Sequence, residues 1–261
     1  MVMPMNDVPH FAGERARSAA EHHRAAAALL RGADAVILDF NGTLSLDEDL
    51  LERCYAAALD NLGLQPMGSA EYATLLGRSE HDIAQALLEN RAPVSDATQK
   101  PTRAVRLPES NDGEDRRAIG TSAVLTEVSR LYVEECGRHP RIPESHLRLV
   151  HRLHRLGIPL AIATGTLREM IDPVLSQAGL KEIVPVVVTV EDVTRGKPDP
   201  EAFLQAALLL GADITRAVIV EDSRAGVTAA HAAGAAAIGV GPGAHGAEVA
   251  IDHLGQLTNL I

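Results

Sequence analysis

The stretch Ala35-Val36-Ile37-Leu38-Asp39-Phe40-Asn41-Gly42-Thr43-Leu44 decides how the rest of the chain is read. Its four leading apolar residues form the short continuous run that a strand buried on both faces needs, and the run stops at a carboxylate. Open parallel sheets bind ligands in the crevice beyond the carboxyl ends of their strands, so Asp39 falls where chemistry is done. Gly42 lets the backbone approach an anion closely, and Thr43 adds a hydroxyl donor. Read alone, a strand-end Asp serves equally to cap the next turn.

Working outward, residues 1–32 carry an Ala-rich helical pattern over Gly13–Arg31 and offer no chemistry to assign. Beyond Leu44 an acidic patch, Asp47-Glu48-Asp49, leads into segments of helical period over Leu50–Leu62, Ala70–Leu76, Ser79–Asn90 and Ser122–Arg138. Ser79 followed three residues later by Asp82 reads as a helix start. Between them, residues 91–121 are polar and broken by Pro93, Pro101, Pro108 and Gly113. Too little apolar area is available there to offset the entropy of ordering, so a mobile loop is expected. From Ile142 the rhythm changes to alternation: helices over Glu144–Leu156, Leu167–Ala178 and Ala225–Ala233, another opened by Asp199-Pro200, and strands over Ile158–Ala163, Val184–Val190, Ala217–Val220 and Ala235–Val240. That alternation implies an α/β fold with a parallel sheet covered on both faces.

Composition narrows the partners. A net charge of −11 over 261 residues argues against nucleic acid and against an anionic membrane surface. With no Trp and 2% aromatic residues, base-stacking platforms are not expected either. Cys54 and Cys136 are the only cysteines, far apart and in helical segments, which fits reduced thiols in a cytoplasmic protein. The first residues lack a basic segment followed by a long apolar run, so no secretion signal is expected.

Four strand ends now carry polar groups: Asp39, Thr164, Lys197 and the Glu221-Asp222 pair. A parallel sheet gathers such ends on one rim, and each type suits phosphoryl transfer. A carboxylate can attack phosphorus and divide one hard hydrolysis into two displacements. Further oxygens can hold Mg2+, while a Thr hydroxyl, backbone N–H groups and a Lys cradle the charge that spreads over the phosphoryl oxygens.

These residues resemble the motifs of the haloacid dehalogenase-like hydrolases. Asp39-Phe40-Asn41-Gly42-Thr43 is similar to the first, Ala163-Thr164-Gly165 to the second, Gly196-Lys197-Pro198-Asp199-Pro200 to the third and Val220-Glu221-Asp222-Ser223 to the fourth. The resemblance implies a Rossmann-like parallel-sheet core with an inserted α-helical cap, as in the phosphoglycolate phosphatase and β-phosphoglucomutase branch. The domains are then an N-terminal helical extension over 1–32, a catalytic core over 33–48 and 138–261, and a cap over 49–137 that contains the loop. It also implies roles: Asp39 as nucleophile, Thr164 and Gly165 binding the phosphoryl oxygens, and Lys197 neutralising charge. Asp39, Asp222 and the Asn41 carbonyl would hold Mg2+, with Glu221 as a further ligand or a partner behind the ligands.

The departure is Asn41, because phosphatases of this family usually carry an Asp there that protonates the leaving oxygen and then activates water. An amide does neither, and help of this kind is typically worth about a hundred- to ten-thousand-fold. The cap segment Leu75-Leu76-Gly77-Arg78-Ser79-Glu80 resembles the substrate loop of the sugar-phosphomutase branch. Leu76 and Glu80 replace the basic residues that grip a distal phosphate there, and Arg78 is left as the candidate substrate contact. The expected function is Mg2+-dependent hydrolysis of a small phosphorylated metabolite through an aspartyl-phosphate on Asp39, by a monomer or homodimer. Three alternatives stay open: phosphonate C–P hydrolysis, phosphotransfer, and catalytically weak phosphometabolite binding. Phosphonate cleavage in this family needs a cap lysine, and Lys100 is the only Lys between residues 49 and 137.

Overall fold

A computed structural model of the chain describes residues 9–89, 91 and 119–261, with side chains from residue 19 onward. Most of the loop expected over 91–121 lies outside the described residues.

The run that ends in Asp39 forms β1 (Ala35–Leu38), buried at every position. It stands in the middle of a six-stranded sheet with β2 (Leu160–Ala163), β3 (Val186–Val188), β4 (Ala217–Glu221), β5 (Ala236–Val240) and β6 (Val249–Ile251), in the spatial order β3-β2-β1-β4-β5-β6. Every pairing is parallel. The chain builds outward from β1 through β2 to β3, then returns to the other side of β1 for β4, β5 and β6. Strand order therefore reverses at β1, and the crevice opens at that switch point.

Alternation along each strand divides the core in two. Val36 and Leu38 join Leu160, Ile162, Val218 and Val220 on one face. Ile37 packs on the other with Ala161, Ile219 and Ala237 against α8 (Glu201–Leu210) and α9 (Arg224–Ala233). Those two helices meet the sheet through Ala202, Ala206, Ala229 and Ala230, small side chains that let a helix lie close. The first face is covered by α6 (Glu144–Arg155) and α7 (Arg168–Gln177), and its apolar cluster continues without a break into the helices inserted after β1. These are α2 (Glu48–Asn61), α3 (Ser69–Ala73), α4 (Glu80–Glu89) and α5 (Thr121–Arg138); α2 and α4 pack on α5, and α5 on α7. The N-terminal α1 (Pro9–Gly32) lies against β6.

Two elements depart from the sequence expectation for local reasons. The third strand is shorter than Val184–Val190, because the Thr189 amide and hydroxyl donate to the Asp192 carboxylate at 2.8 and 2.9 Å and turn the chain into a 3-10 turn at Val190. Strand β6 was not foreseen, since its three residues follow a glycine-rich turn and are too few to show a period. Among the described residues, no helix is long and apolar enough to cross a membrane.

Candidate active site

Register brings the polar strand ends level. Leu38 pairs with both Ile162 and Val220, so the residues that follow, Asp39, Ala163 and Glu221, stand side by side. The Asp39 amide donates to the Val220 carbonyl at 2.9 Å, and the Thr164 amide to the Val188 carbonyl at 2.9 Å. These two bonds continue the ladder by one step and fix the side chains at the rim.

Lys197 lies at the centre. Its ammonium donates to Asp39 Oδ1 at 2.5 Å and to Glu221 Oε2 at 2.7 Å, and sits 5.0 Å from the centre of the Phe203 ring. The other Glu221 oxygen, Oε1, accepts from the Ser223 amide at 3.1 Å and hydroxyl at 2.8 Å. Ser223 in turn caps α9, accepting from the Gly226 amide at 3.0 Å. A Cβ at Gly226 would lie 2.0 Å from Glu221 Cδ, so the glycine makes room for this carboxylate. Glu221 is thus held on both sides, as a partner that aims Lys197.

Oxygens of Asp39, Glu221 and Asp222 lie within 4.8 Å of one another. Burial first, and then the charges of Glu221 upon Asp39 and of Asp39, Glu221 and Glu48 upon Asp222, raise both aspartates above the ordinary carboxylate range. Burial opposes the charge of Lys197, but Asp39 and Glu221 outweigh it and hold that ammonium above its usual range. One cation therefore faces an excess of carboxylates, all of them hard oxygen donors. This donor set fits a divalent ion of the Mg2+ kind. Gly42 takes φ +74° beneath it, and a Cβ there would meet Asp222 Oδ2 at 2.2 Å. Only glycine allows this approach.

The inserted helices close the cleft. The loop before α4 crosses the Thr164-Gly165-Thr166 turn, where the Glu80 amide donates to the Gly165 carbonyl at 3.1 Å. A Cβ at Gly165 would stand 3.2 Å from Ser79 Cα. Ser79 starts the helix as its spacing implies, with its hydroxyl accepting from the Asp82 amide at 3.2 Å. Arg78 lines the cleft together with Lys197, Thr164, Gly165, Leu76 and Ile83.

Thr43 does not line the cleft. It is fully buried behind the site and donates to Asp222 Oδ1 at 3.3 Å, so its hydroxyl orients that carboxylate instead of meeting substrate. Asn41 reaches the cleft wall but its amide is engaged at both ends. Its Nδ2 donates to Asp47 Oδ2 at 3.0 Å and its Oδ1 accepts from the Thr166 hydroxyl. Asp47 also accepts from Tyr132, is completely buried, and is pushed upward in pKa chiefly by that burial.

Sequence reasoning missed four contributors: Asp47, Thr166, Tyr132 and Glu80 as an acid in the cleft. Asp47 stood in the acidic patch and Thr166 two residues after Thr164, but nothing local marks either as a partner of Asn41. Glu80 is buried at the first turn of α4 and accepts from the Tyr55 hydroxyl.

Comparison with known proteins gives the family. The haloacid dehalogenase-like hydrolase family matches residues 33–234. The chain is 28% identical over 238 residues to a plasmid phosphoglycolate phosphatase of Cupriavidus necator, covering 87% of this chain and 92% of that protein. It is 28% identical to the fructose-1-phosphate phosphatase YqaB of Escherichia coli, over 78% of this chain and 95% of that one. A higher identity, 34%, links it to the validoxylamine A 7'-phosphate phosphatase of Streptomyces hygroscopicus, but over only 44% of that protein and 36% of this chain. In structure it is similar to CbbY from Rhodobacter sphaeroides, solved with phosphate, with a TM-score of 0.70 at 24% identity over 86% of this chain and 96% of that chain. With the match running from the first strand through α9, the chain belongs to the haloacid dehalogenase-like hydrolases.

Proposed function

We propose that this hydrolase cleaves the phosphate monoester of a small metabolite, with Asp39 as the nucleophile. The observation that carries the reading is the gathering of Asp39, Lys197, Glu221 and Asp222 at one strand rim within ion-pair and metal-ligating distance. Relatives named as phosphatases of phosphoglycolate and fructose 1-phosphate support the same class.

Asp39 attacks phosphorus and becomes an aspartyl phosphate as the ester oxygen leaves; water then attacks that phosphorus and frees Asp39. Thr164 and the amides of the Gly165 turn receive the phosphoryl oxygens, and Lys197 balances charge on both nucleophile and phosphate. Asp39, Asp222 and the Asn41 carbonyl would hold Mg2+, which supplies further charge stabilisation on the phosphoryl oxygens. Glu221 acts through Lys197. The inserted helices α2–α5 serve as a cap over the site.

The cleft also speaks for one phosphate per substrate. Lys197 and Arg78 are the only basic residues among the described ones that line it, and Lys197 is already committed to Asp39 and Glu221. The remaining wall is built largely of Leu51, Tyr72, Leu76, Ile83, Val190 and Val193. A monophosphate with an uncharged body fits this surface, and a bisphosphate does not. The engaged amide of Asn41 favours one second reading, weak turnover with retained phosphometabolite binding. A phosphate-release screen of sugar, polyol and glycolate monophosphates with Mg2+ separates the two. Turnover that disappears in Asp39→Asn supports the hydrolase; binding of several compounds with release from none supports the binder.

A further inference from the structure

A family member with Asn at position 41 has no proton source at the usual place, and the structure offers a carboxylic acid elsewhere in the same cleft. Glu80 lines the cleft together with Asp39 and Asn41. It is 3% exposed, and no basic side chain among the described residues comes within ion-pair distance of it. Its own amide is bonded to Gly165, next to the phosphate-binding Thr164, which fixes where the side chain begins relative to the reacting phosphorus. The Tyr55 hydroxyl donates to Glu80 Oε2, and the Thr166 hydroxyl, which donates to Asn41 Oδ1, lies beside the same carboxyl. Glu80 therefore stands across Thr166 from the position it would replace.

We propose that Glu80 is the general acid and base of this enzyme, supplied by the inserted helices in place of the residue at position 41. The proposal rests on the hydrolase reading above. In the first step the bond from Asp39 to phosphorus forms, the bond from phosphorus to the ester oxygen breaks, and the leaving oxygen takes the proton of the Glu80 carboxyl. In the second step a water oxygen bonds to phosphorus, the bond to Asp39 breaks, and the Glu80 carboxylate takes the water's proton. Glu80 ends protonated, Asp39 ionised, and the products are an alcohol and hydrogen phosphate.

The surroundings favour an acid that holds its proton near neutrality. Burial pushes Glu80 up to about 7, set against the bond from Tyr55 and reinforced by the charge of Asp47. The titratable groups that face it are Asp47 ahead of α2, Cys54 and Tyr55 on α2, and Tyr72 on α3, none of them cationic. A purely structural glutamate in such a place would lower the stability of the fold with no cation to compensate. A general acid works best with its pKa close to the working pH.

The test compares leaving groups, because a poor leaving group needs the proton and a good one does not. Wild type and Glu80→Gln are assayed with Mg2+ on fructose 1-phosphate or glycerol 3-phosphate and on p-nitrophenyl phosphate. We expect kcat/KM, which reports the step in which the ester oxygen leaves, to fall by at least about a hundred-fold on the alkyl ester and by less than about ten-fold on the aryl ester. Equal losses on both esters, or no loss on the alkyl one, would overturn the role of Glu80 and leave the hydrolase standing. Should the variant melt early, the wild type decides alone: the alkyl kcat/KM falls as pH rises above about 7 more steeply than the aryl kcat/KM. Parallel profiles overturn the proposal. Failure of the wild type to release nitrophenol, or full release by Asp39→Asn, overturns the hydrolase reading and this proposal with it.

Discussion

Asn41 is held by its neighbours as firmly as any residue of the site. Its amide nitrogen needs an acceptor and finds Asp47, and its oxygen needs a donor and finds Thr166. Replacing it with Asp, the simple way to supply an acid, sets a second carboxyl against the fully buried Asp47, and the two cannot both ionise there. Asn41→Asp alone should therefore destabilise the fold by about 1–3 kcal/mol, the usual cost of a buried polar group left without its partner. The exchange Asn41→Asp with Asp47→Asn should recover most of that loss, because an Asn at 47 accepts from Tyr132 and donates to the new carboxylate. Urea unfolding of the two single variants and the double variant measures the coupling. Additive losses would mean that the pair acts independently. Gly42 carries the opposite lesson, where the lack of a side chain matters. Gly42→Ala should fold, since the site lies at the end of a strand packed from both faces, but should weaken Mg2+ binding by more than about ten-fold, a cost of over about 1.4 kcal/mol. Calorimetric titration with Mg2+ checks this.

At the scale of elements, the start of α4 joins the inserted helices to the core. Ser79 caps the helix, the Glu80 amide bonds the Gly165 carbonyl, and Gly77 runs so near Ser223 that a Cβ there would stand 3.1 Å from its Cβ. One short turn thus touches both the second and the fourth motif. Ser79→Ala removes the cap acceptor and should lower stability by about 1 kcal/mol. Because that turn also positions Glu80, kcat/KM on an alkyl ester should fall more than kcat/KM on an aryl ester. A loss of stability with an unchanged ratio of the two rates would separate the helix start from the chemistry. Strand β1 shows how an element imposes order on residues far away in sequence. Its pairing with β2 and β4 aligns Asp39 with Ala163 and Glu221, so a one-residue slip would turn the nucleophile away from the rim.

Across the whole molecule, the buried acids link folding to pH. Glu80, Asp39 and Asp222 are all raised, chiefly by burial, whereas in the unfolded chain they ionise near pH 4. Above that pH the folded state holds protons that the unfolded chain has released, so stability falls as pH climbs toward and past neutrality. Lys197 contributes nothing to this window, because its raised pKa matters only above the ordinary lysine range. Asp34 and Glu71, lowered by bonds from Arg216 and Arg91, act below it, where stability rises with pH. In chelator, the melting temperature should drop by at least about 3 °C between roughly pH 5 and pH 8, since each kcal/mol moves Tm by about 2–4 °C at this size. Millimolar Mg2+ should remove most of the drop, and its binding should release protons. A melting temperature that rises over this range in chelator would contradict the raised acids.

The parallel sheet, the helices between its strands and four strand ends suited to phosphoryl transfer are all legible in the chain. Those features depend on short-range patterns: the apolar run before Asp39, the helix stops at Gly157 and Gly179, and the cap at Ser79. Family motifs then tied Asp39, Thr164, Lys197 and Asp222 to one chemistry, and the structure brings these together at a single rim. What those residues touch is set by the folding of distant segments against one another. It turned Thr43 from the cleft to Asp222, engaged both ends of Asn41 and brought Glu80 of an inserted helix against the Gly165 turn. A side chain's partner and its exposure are set by packing between segments as much as 179 residues apart, and no local period in the chain encodes them.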